Sequence, residues 1–269
     1  MRTTPSERLA LLLLIVFAAC SLLTACASKP ETGPADLSAG YTALEQNQYD
    51  QAIAAADRQL HQSPRGPGSA EAHYLKGRAY EQRPAASASE AAASLQAART
   101  AYIQALQQQP SPRLEGLIRA GVANVAYWQD DYATALQQWQ VAYPLLEQPA
   151  AKSFTLYRIG LSLQRLGRFE EADKIFSQVQ HLYGGSDAAM RARAHQGHRA
   201  FNVQVATFAS QQNAQNALTA LRGMGMNPSQ AANGSGHHVV TIGPMPSYAQ
   251  AKNVQSRVLA HFPDALIVP

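Results

Sequence analysis

The side chains in this 269-residue sequence with the types and spacing to do chemistry are Cys26, the His195/His198 pair and the adjacent carboxylates Glu170 and Glu171. Each makes a specific demand on its surroundings. A zinc-type centre needs three or four ligands converging on one ion, and neither an acid nor a cysteine stands near His195 and His198 in sequence. That pair reads as solvated residues of a helix. Glu170 and Glu171 fall within a turn-and-helix pattern that recurs along the chain, at positions exposed in such patterns, so they do not read as an acid/base couple. No phosphate-cradling glycine loop, dinucleotide fingerprint or serine elbow occurs. The sequence predicts a non-enzymatic protein that uses no metal and no cofactor.

Cys26 has a different chemistry. The chain has two cysteines, Cys20 and Cys26, so a disulfide framework is excluded for everything that follows. Arg2 and Arg8 precede an apolar run over residues 9–17 that continues through Ala18, Ala19 and Cys20. At about 12 residues it is short of the roughly 20 that span a bilayer. A charged start, a short apolar core and small residues describe a secretory signal peptide over residues 1–25. Leu23–Thr24–Ala25–Cys26 resembles a lipobox, which implies cleavage before Cys26 and acylation of its thiol. Each buried acyl methylene contributes about 0.8 kcal/mol, so more than one chain anchors stably. Ala27 and Ser28 follow, with no aspartate beside the lipid site. By the sorting rule of proteobacterial lipoproteins, that implies the outer membrane of a Gram-negative cell, with the protein facing the periplasm. Residues 26–37, polar with two prolines, read as a tether.

The elements beyond the tether show a period. Ala98, Ala135 and Ala172 recur every 37 residues, and so do Gly40 and Gly77. Each alanine is followed at +4 by Tyr102, Trp139 or Phe176 and at +7 by Ala105, Ala142 or Val179, which places them on one helical face. A small residue admits the first helix of a pair closely, and the aromatic fills the gap beyond. Residues 38–198 resemble tetratricopeptide (TPR) repeats, with the cleanest copy over 153–184 and others starting near Gly116, Ala70 and Asp36. The family period is about 34, so longer connections between repeats are expected here. The second copy also carries about nine additional residues around residues 84–89. The resemblance implies a concave groove for a protein or peptide partner, lined by Tyr74, Arg78, Leu117, Asn124, Tyr127, Trp128, Phe154, Tyr157 and Arg165. Residues 186–198 read as a polar, alanine-rich cap.

At Phe201 the period changes from helical to alternating. Phe201–Asn202–Val203–Gln204–Val205–Ala206 reads as a strand with one buried face. Ala214, Ala217, Leu218 and Leu221 mark a helix ended by Gly223 and Gly225. A weak second strand lies near residues 227–231, and a third at residues 238–242. Ser247 with Gln250 opens a second helix whose apolar face holds Ala251, Val254, Val258 and Phe262. Residues 265–268 make a last strand. With Val203, Val205, Val240 and Ile242 facing the helices, alternation puts Asn202, Gln204, His237, Val239 and Thr241 on the open face.

Residues 199–269 resemble a SPOR domain, the sporulation-related repeat of cell-division and cell-wall proteins. The resemblance is carried by Val203–Gln204–Val205, Thr207–Phe208, the helix with Ala214 and Leu221, Val240–Thr241–Ile242–Gly243–Pro244, and Ala265–Leu266–Ile267–Val268. Ala206, Val239 and Met245 depart from the family's usual glycine, arginine and phenylalanine. The resemblance implies a βαββαβ domain binding peptidoglycan glycan strands that have lost their stem peptides. Gln204 and Thr207 match the family's polar binding positions, and His237 stands where an aromatic is common. Such strands carry a lactyl carboxylate on each muramic acid among acetamido and hydroxyl groups, which suits amide and hydroxyl hydrogen-bonders.

The predicted molecule is thus multidomain, an all-α TPR-like solenoid followed by a small α+β SPOR domain. Its two helices cover one face of a four-stranded antiparallel sheet. The net charge of +4 suits a polyanionic wall polymer, and no lysine/arginine stripe points to nucleic acid. The expected role is a lipid-tethered adaptor at the septal wall. The alternative is an assembly or secretion lipoprotein, pilus-associated for example, with a weakened wall-binding domain.

Overall fold

The computed structural model describes residues 37–65 and 68–269. The expected signal peptide, Cys26 and the tether up to residue 36 lie outside the described residues. Eight helices form four antiparallel hairpins in chain order: α1 (Ser38–Glu45) with α2 (Tyr49–Gln62), α3 (Ser69–Gln82) with α4 (Ala88–Gln107), α5 (Pro112–Trp128) with α6 (Tyr132–Leu145), and α7 (Pro149–Arg165) with α8 (Phe169–Leu182). Each hairpin packs on the next, and α9 (Asp187–His195) covers the end of the stack against α7 and α8. Local chemistry sets the helix starts. Ser87, Ser111, Asp131 and Ser186 accept the backbone N–H of Glu90, Leu114, Thr134 and Ala189, capping α4, α5, α6 and α9. No described helix is long and apolar enough to cross a membrane.

The 37-residue period is a packing period. All nine residues it picks out on α4, α6 and α8, from Ala98 to Val179, are buried. Two of the three aromatics sit where neighbouring helices offer glycine. A Cβ on Gly77 would stand 2.6 Å from the Tyr102 ring, one on Gly121 2.4 Å from it, and one on Gly160 2.5 Å from Phe176. Any side chain there would drive the helices apart. In the third and fourth hairpins the additional length is not in the connections, where the sequence places it. The links at 129–131, 146–148 and 166–168 are three residues each, and the length goes into 17-residue helices α5 and α7. Pro112 and Pro149, with φ fixed by the ring, start these helices early.

His195 is not the solvated residue its helix suggested. Its Nδ1 lies 3.0 Å from Gln164 Oε1, and its ring centre is 5.9 Å from those of Tyr157 and Phe176. Burial, then the positive charges of Arg165 and His198, push its pKa down to about 4. An unfolded histidine titrates near 6.5, so on acidification the unfolded chain takes up the proton first. The stability that neutral His195 lends is complete above that value and is lost as pH falls toward 4. We expect the thermal midpoint to drop by a few degrees between about pH 7 and about pH 5. His195→Gln should show a smaller drop, and identical profiles would disprove the assignment.

The chain then changes class. β1 (Phe201–Phe208), α10 (Gln211–Gly223), β2 (Pro228–Ala232), β3 (His238–Met245), α11 (Tyr248–Val258) and β4 (Leu266–Val268) follow in order. The sheet order is β2-β3-β1-β4, antiparallel throughout, and both helices lie on one face. Phe201, Val203, Val205, Val240 and Ile242 meet Ala214, Leu218, Leu221, Ala251 and Val258 in its core. Ser247 accepts the N–H of Gln250 and starts α11, as its sequence signature predicts.

The helical array and the sheet are joined by residues 196–200 and held by side chains. Asp173 accepts from the Gly197 N–H at 2.9 Å with one oxygen and pairs with Arg199 at 2.7 Å with the other. The Tyr248 ring lies against Arg165, whose guanidinium carbon is 3.6 Å from the ring centre, and meets Tyr132 and Phe201 at 5.5 Å. Phe169 packs on Phe201, and Lys252 pairs with Asp130. Burial raises the Asp130 pKa, but the bonds from Lys252 and Tyr132 outweigh it and keep the carboxyl below its usual range.

Candidate functional site

The open face of the sheet is built by register. Strict alternation along β1 would put Thr207 on the side of Val203 and Val205, away from Gln204. The strands pair otherwise. Gln204 opposes Thr241, yet Ala206 opposes Val240 and Thr207 opposes Val239, so Val205 is an inserted residue, a β-bulge. Beyond the bulge the faces exchange, and Thr207 joins Gln204. The Gln204 Nε2 donates to Thr207 Oγ1 at 3.4 Å, which requires both on one side.

Asn202, Gln204, Thr207 and Thr241 therefore share the open face, Thr207 only because of the bulge. Asn202 is held by a close approach. A Cβ on Gly243 would stand 2.4 Å from the Asn202 Oδ1, and Gly243 has φ +146°, a conformation that favours glycine. His237 sits at the rim. Its N–H donates to Asn233 Oδ1 at 2.9 Å, closing the β2–β3 turn and leaving the ring exposed.

The same register adds residues not singled out from sequence. Ser229 opposes Thr241 and shares a hydrogen bond of 3.0 Å with it. Leu266 and Val268 on β4 oppose Gln204 and Asn202, and Leu266 is 45% exposed. Alternation within residues 265–268 would have found Leu266. Nothing in Pro228–Ala232 alternates, so Ser229 carried no signal. The face thus combines amides at 202 and 204, hydroxyls at 207, 229 and 241, and an apolar edge at Leu266, with no acid among these residues. It can exchange hydrogen bonds with acetamido and hydroxyl groups while presenting nothing to repel an anionic polymer.

The expected partner groove divides into three parts. At its start, Tyr74, Arg78 and Leu117 line a cavity of about 540 Å³ together with Tyr41, Glu71, Arg113 and Leu114. Arg78 donates to the Tyr74 hydroxyl at 3.0 Å, and burial beside Glu71 pushes the Tyr41 phenol up. In its middle, Tyr127 and Tyr157 are buried and form the floor, while Trp128 and Phe154 stand 60% and 41% exposed. Glu81, accepting from Tyr102 at 2.5 Å and from Asn124 at 3.0 Å, is pushed up in pKa because burial outweighs these bonds. At its end, Arg165 lies under Tyr248, so the sheet domain takes the place expected for a partner. Among the described residues no three His, Cys, Asp or Glu side chains are placed to hold a metal ion.

Compared with known families, residues 197–269 match the SPOR domain model. SPOR domains bind peptidoglycan, usually in cell division, and face the periplasm. No curated protein matches the chain.

Proposed function

We propose, from the SPOR domain at residues 197–269, that this protein is a non-enzymatic adaptor of the septal cell wall. The domain takes stem-peptide-free glycan strands on its open face, and the TPR-like array recruits a protein partner in its concave groove. A lipid on Cys26 holds the chain at the outer membrane. The observation that carries the wall-binding part is the bulge at Val205, which gathers Gln204 and Thr207 with Asn202, Thr241 and Ser229 on one acid-free face. Gln204 and Thr207 hydrogen-bond the acetamido and lactyl groups, Asn202, Thr241 and His237 contact the flanking hydroxyls, and Leu266 packs on an apolar sugar face.

The test is retention of the chain from residue 27 onward on sacculi before and after amidase treatment. Removing stem peptides should raise the bound fraction several-fold. Equal binding to treated and intact sacculi would refute glycan recognition and favour an assembly factor.

A further inference from the structure

Glycan binding leaves unused a cluster in the middle of the concave wall. The guanidinium carbon of Arg158 lies 5.0 Å from the ring centres of Tyr127 and Phe154, 5.7 Å from Trp128 and 6.0 Å from Trp139. Arg83, Arg113, Arg119, Arg168 and Arg199 each reach a carboxylate. Arg158 makes no hydrogen bond or ion pair among the described residues, and its Nε is buried without an acceptor. A guanidinium stacked on rings keeps its N–H groups directed in its own plane, free to fork onto a carboxylate.

Two more arginines lie within electrostatic range, and the acids in that range, Glu81 and Asp130, are already partnered. Arg158, Arg165 and Arg191 all act on the Tyr157 hydroxyl, and neither Arg165 nor Arg191 has a carboxylate within ion-pair distance among the described residues. Glu81 is engaged by Tyr102 and Asn124. Exposed Trp128 and Phe154 flank the cluster. Aromatics beside an arginine are the residues that dominate protein–protein binding.

We infer that the wall between α5 and α7 seats an acidic segment of a partner protein, with Arg158 clasping a carboxylate and Trp128 and Phe154 packing on a neighbouring apolar side chain. This rests on the reading of the helical array as a partner groove. A peptide is the better fit than a glycan. Stripped glycan offers no apolar side chain to pack on exposed Trp128 and Phe154 beside its carboxylate, whereas an acidic peptide offers both.

The test is fluorescence anisotropy of the chain from residue 27 onward with three labelled probes, short peptides alternating leucine with glutamate, serine or lysine. The glutamate peptide should bind at least about tenfold tighter than the serine peptide, with a salt-sensitive affinity. Arg158→Gln should remove that advantage while leaving the circular dichroism spectrum and the retention on amidase-treated sacculi unchanged. Trp128→Ala, at an exposed position, should weaken all binding. Equal affinity for the glutamate and serine peptides would overturn the acidic specificity and leave the groove standing. Failure of all three peptides to bind would remove both. Competition by stripped glycan that depends on Arg158 would overturn the proposal in favour of a second sugar site.

Discussion

Replacing Tyr102 by alanine should cost the protein about 4–5 kcal/mol, enough to unfold the helical array at moderate urea concentrations. Tyr102 is fully buried on α4 and fills the gap offered by two other helices, at Gly77 on α3 and Gly121 on α5. One side chain therefore joins the second hairpin internally and to the third. Truncating a buried large aromatic costs about 3–5 kcal/mol, because a cavity remains where the neighbours cannot collapse. The glycines add to the penalty, since neither has a side chain to swing into the void. A second loss comes from the hydroxyl. It donates to Glu81 at 2.5 Å, and a buried carboxylate deprived of a donor costs about 1–3 kcal/mol more. The two are not additive, since the cavity admits water to Glu81. Tyr102→Phe separates them and should cost about 1–2 kcal/mol. Urea unfolding followed by circular dichroism gives both values. A Tyr102→Ala penalty below about 1 kcal/mol would show that the array is not held at this point.

The largest effect on binding should come from Gln204→Ala combined with Thr241→Ala. The two residues are opposed across β1 and β3 at the centre of the open face. A hydrogen bond to a neutral group contributes about 0.5–1.5 kcal/mol, and one to a charged group about 1.5–3 kcal/mol. Losing one of each removes about 2–4.5 kcal/mol and lowers affinity for amidase-treated sacculi by about 30- to 2,000-fold. Stability should change little, because neither side chain enters the core. The variant loses the Gln204–Thr207 and Ser229–Thr241 bonds, both on the exposed surface. Wild-type retention on treated sacculi, with the fold intact by circular dichroism, would remove the open face as the glycan site.

How far the sequence carried these conclusions depended on the range of the interactions involved. The period of Ala98, Ala135 and Ala172 is local helical geometry repeated, and it located buried residues correctly. The alternation of Phe201, Val203 and Val205 likewise placed the core of the sheet, and Ser247 its last helix. Position 207 is another matter, because a bulge is a property of two strands paired, and β1 alone gives no sign that Val205 is inserted. Contacts between distant segments were equally hidden. Nothing near Arg165 announces Tyr248, and His195 reads as solvated until Gln164 and Phe176 are brought to it by the fold.

The five residues between α9 and β1 have a mechanical corollary. They leave hardly any slack, and Asp173 fastens two of them. On the proposed reading, a cargo in the groove would be carried at a set spacing from the murein, without the long search volume a floppy linker would impose. Effective concentration depends on the match between linker and span, falling as surplus chain is added. The molecule would then behave less like a string between two hooks than like a caliper, its jaw spacing set by Asp173 together with the Arg165–Tyr248 and Phe169–Phe201 contacts.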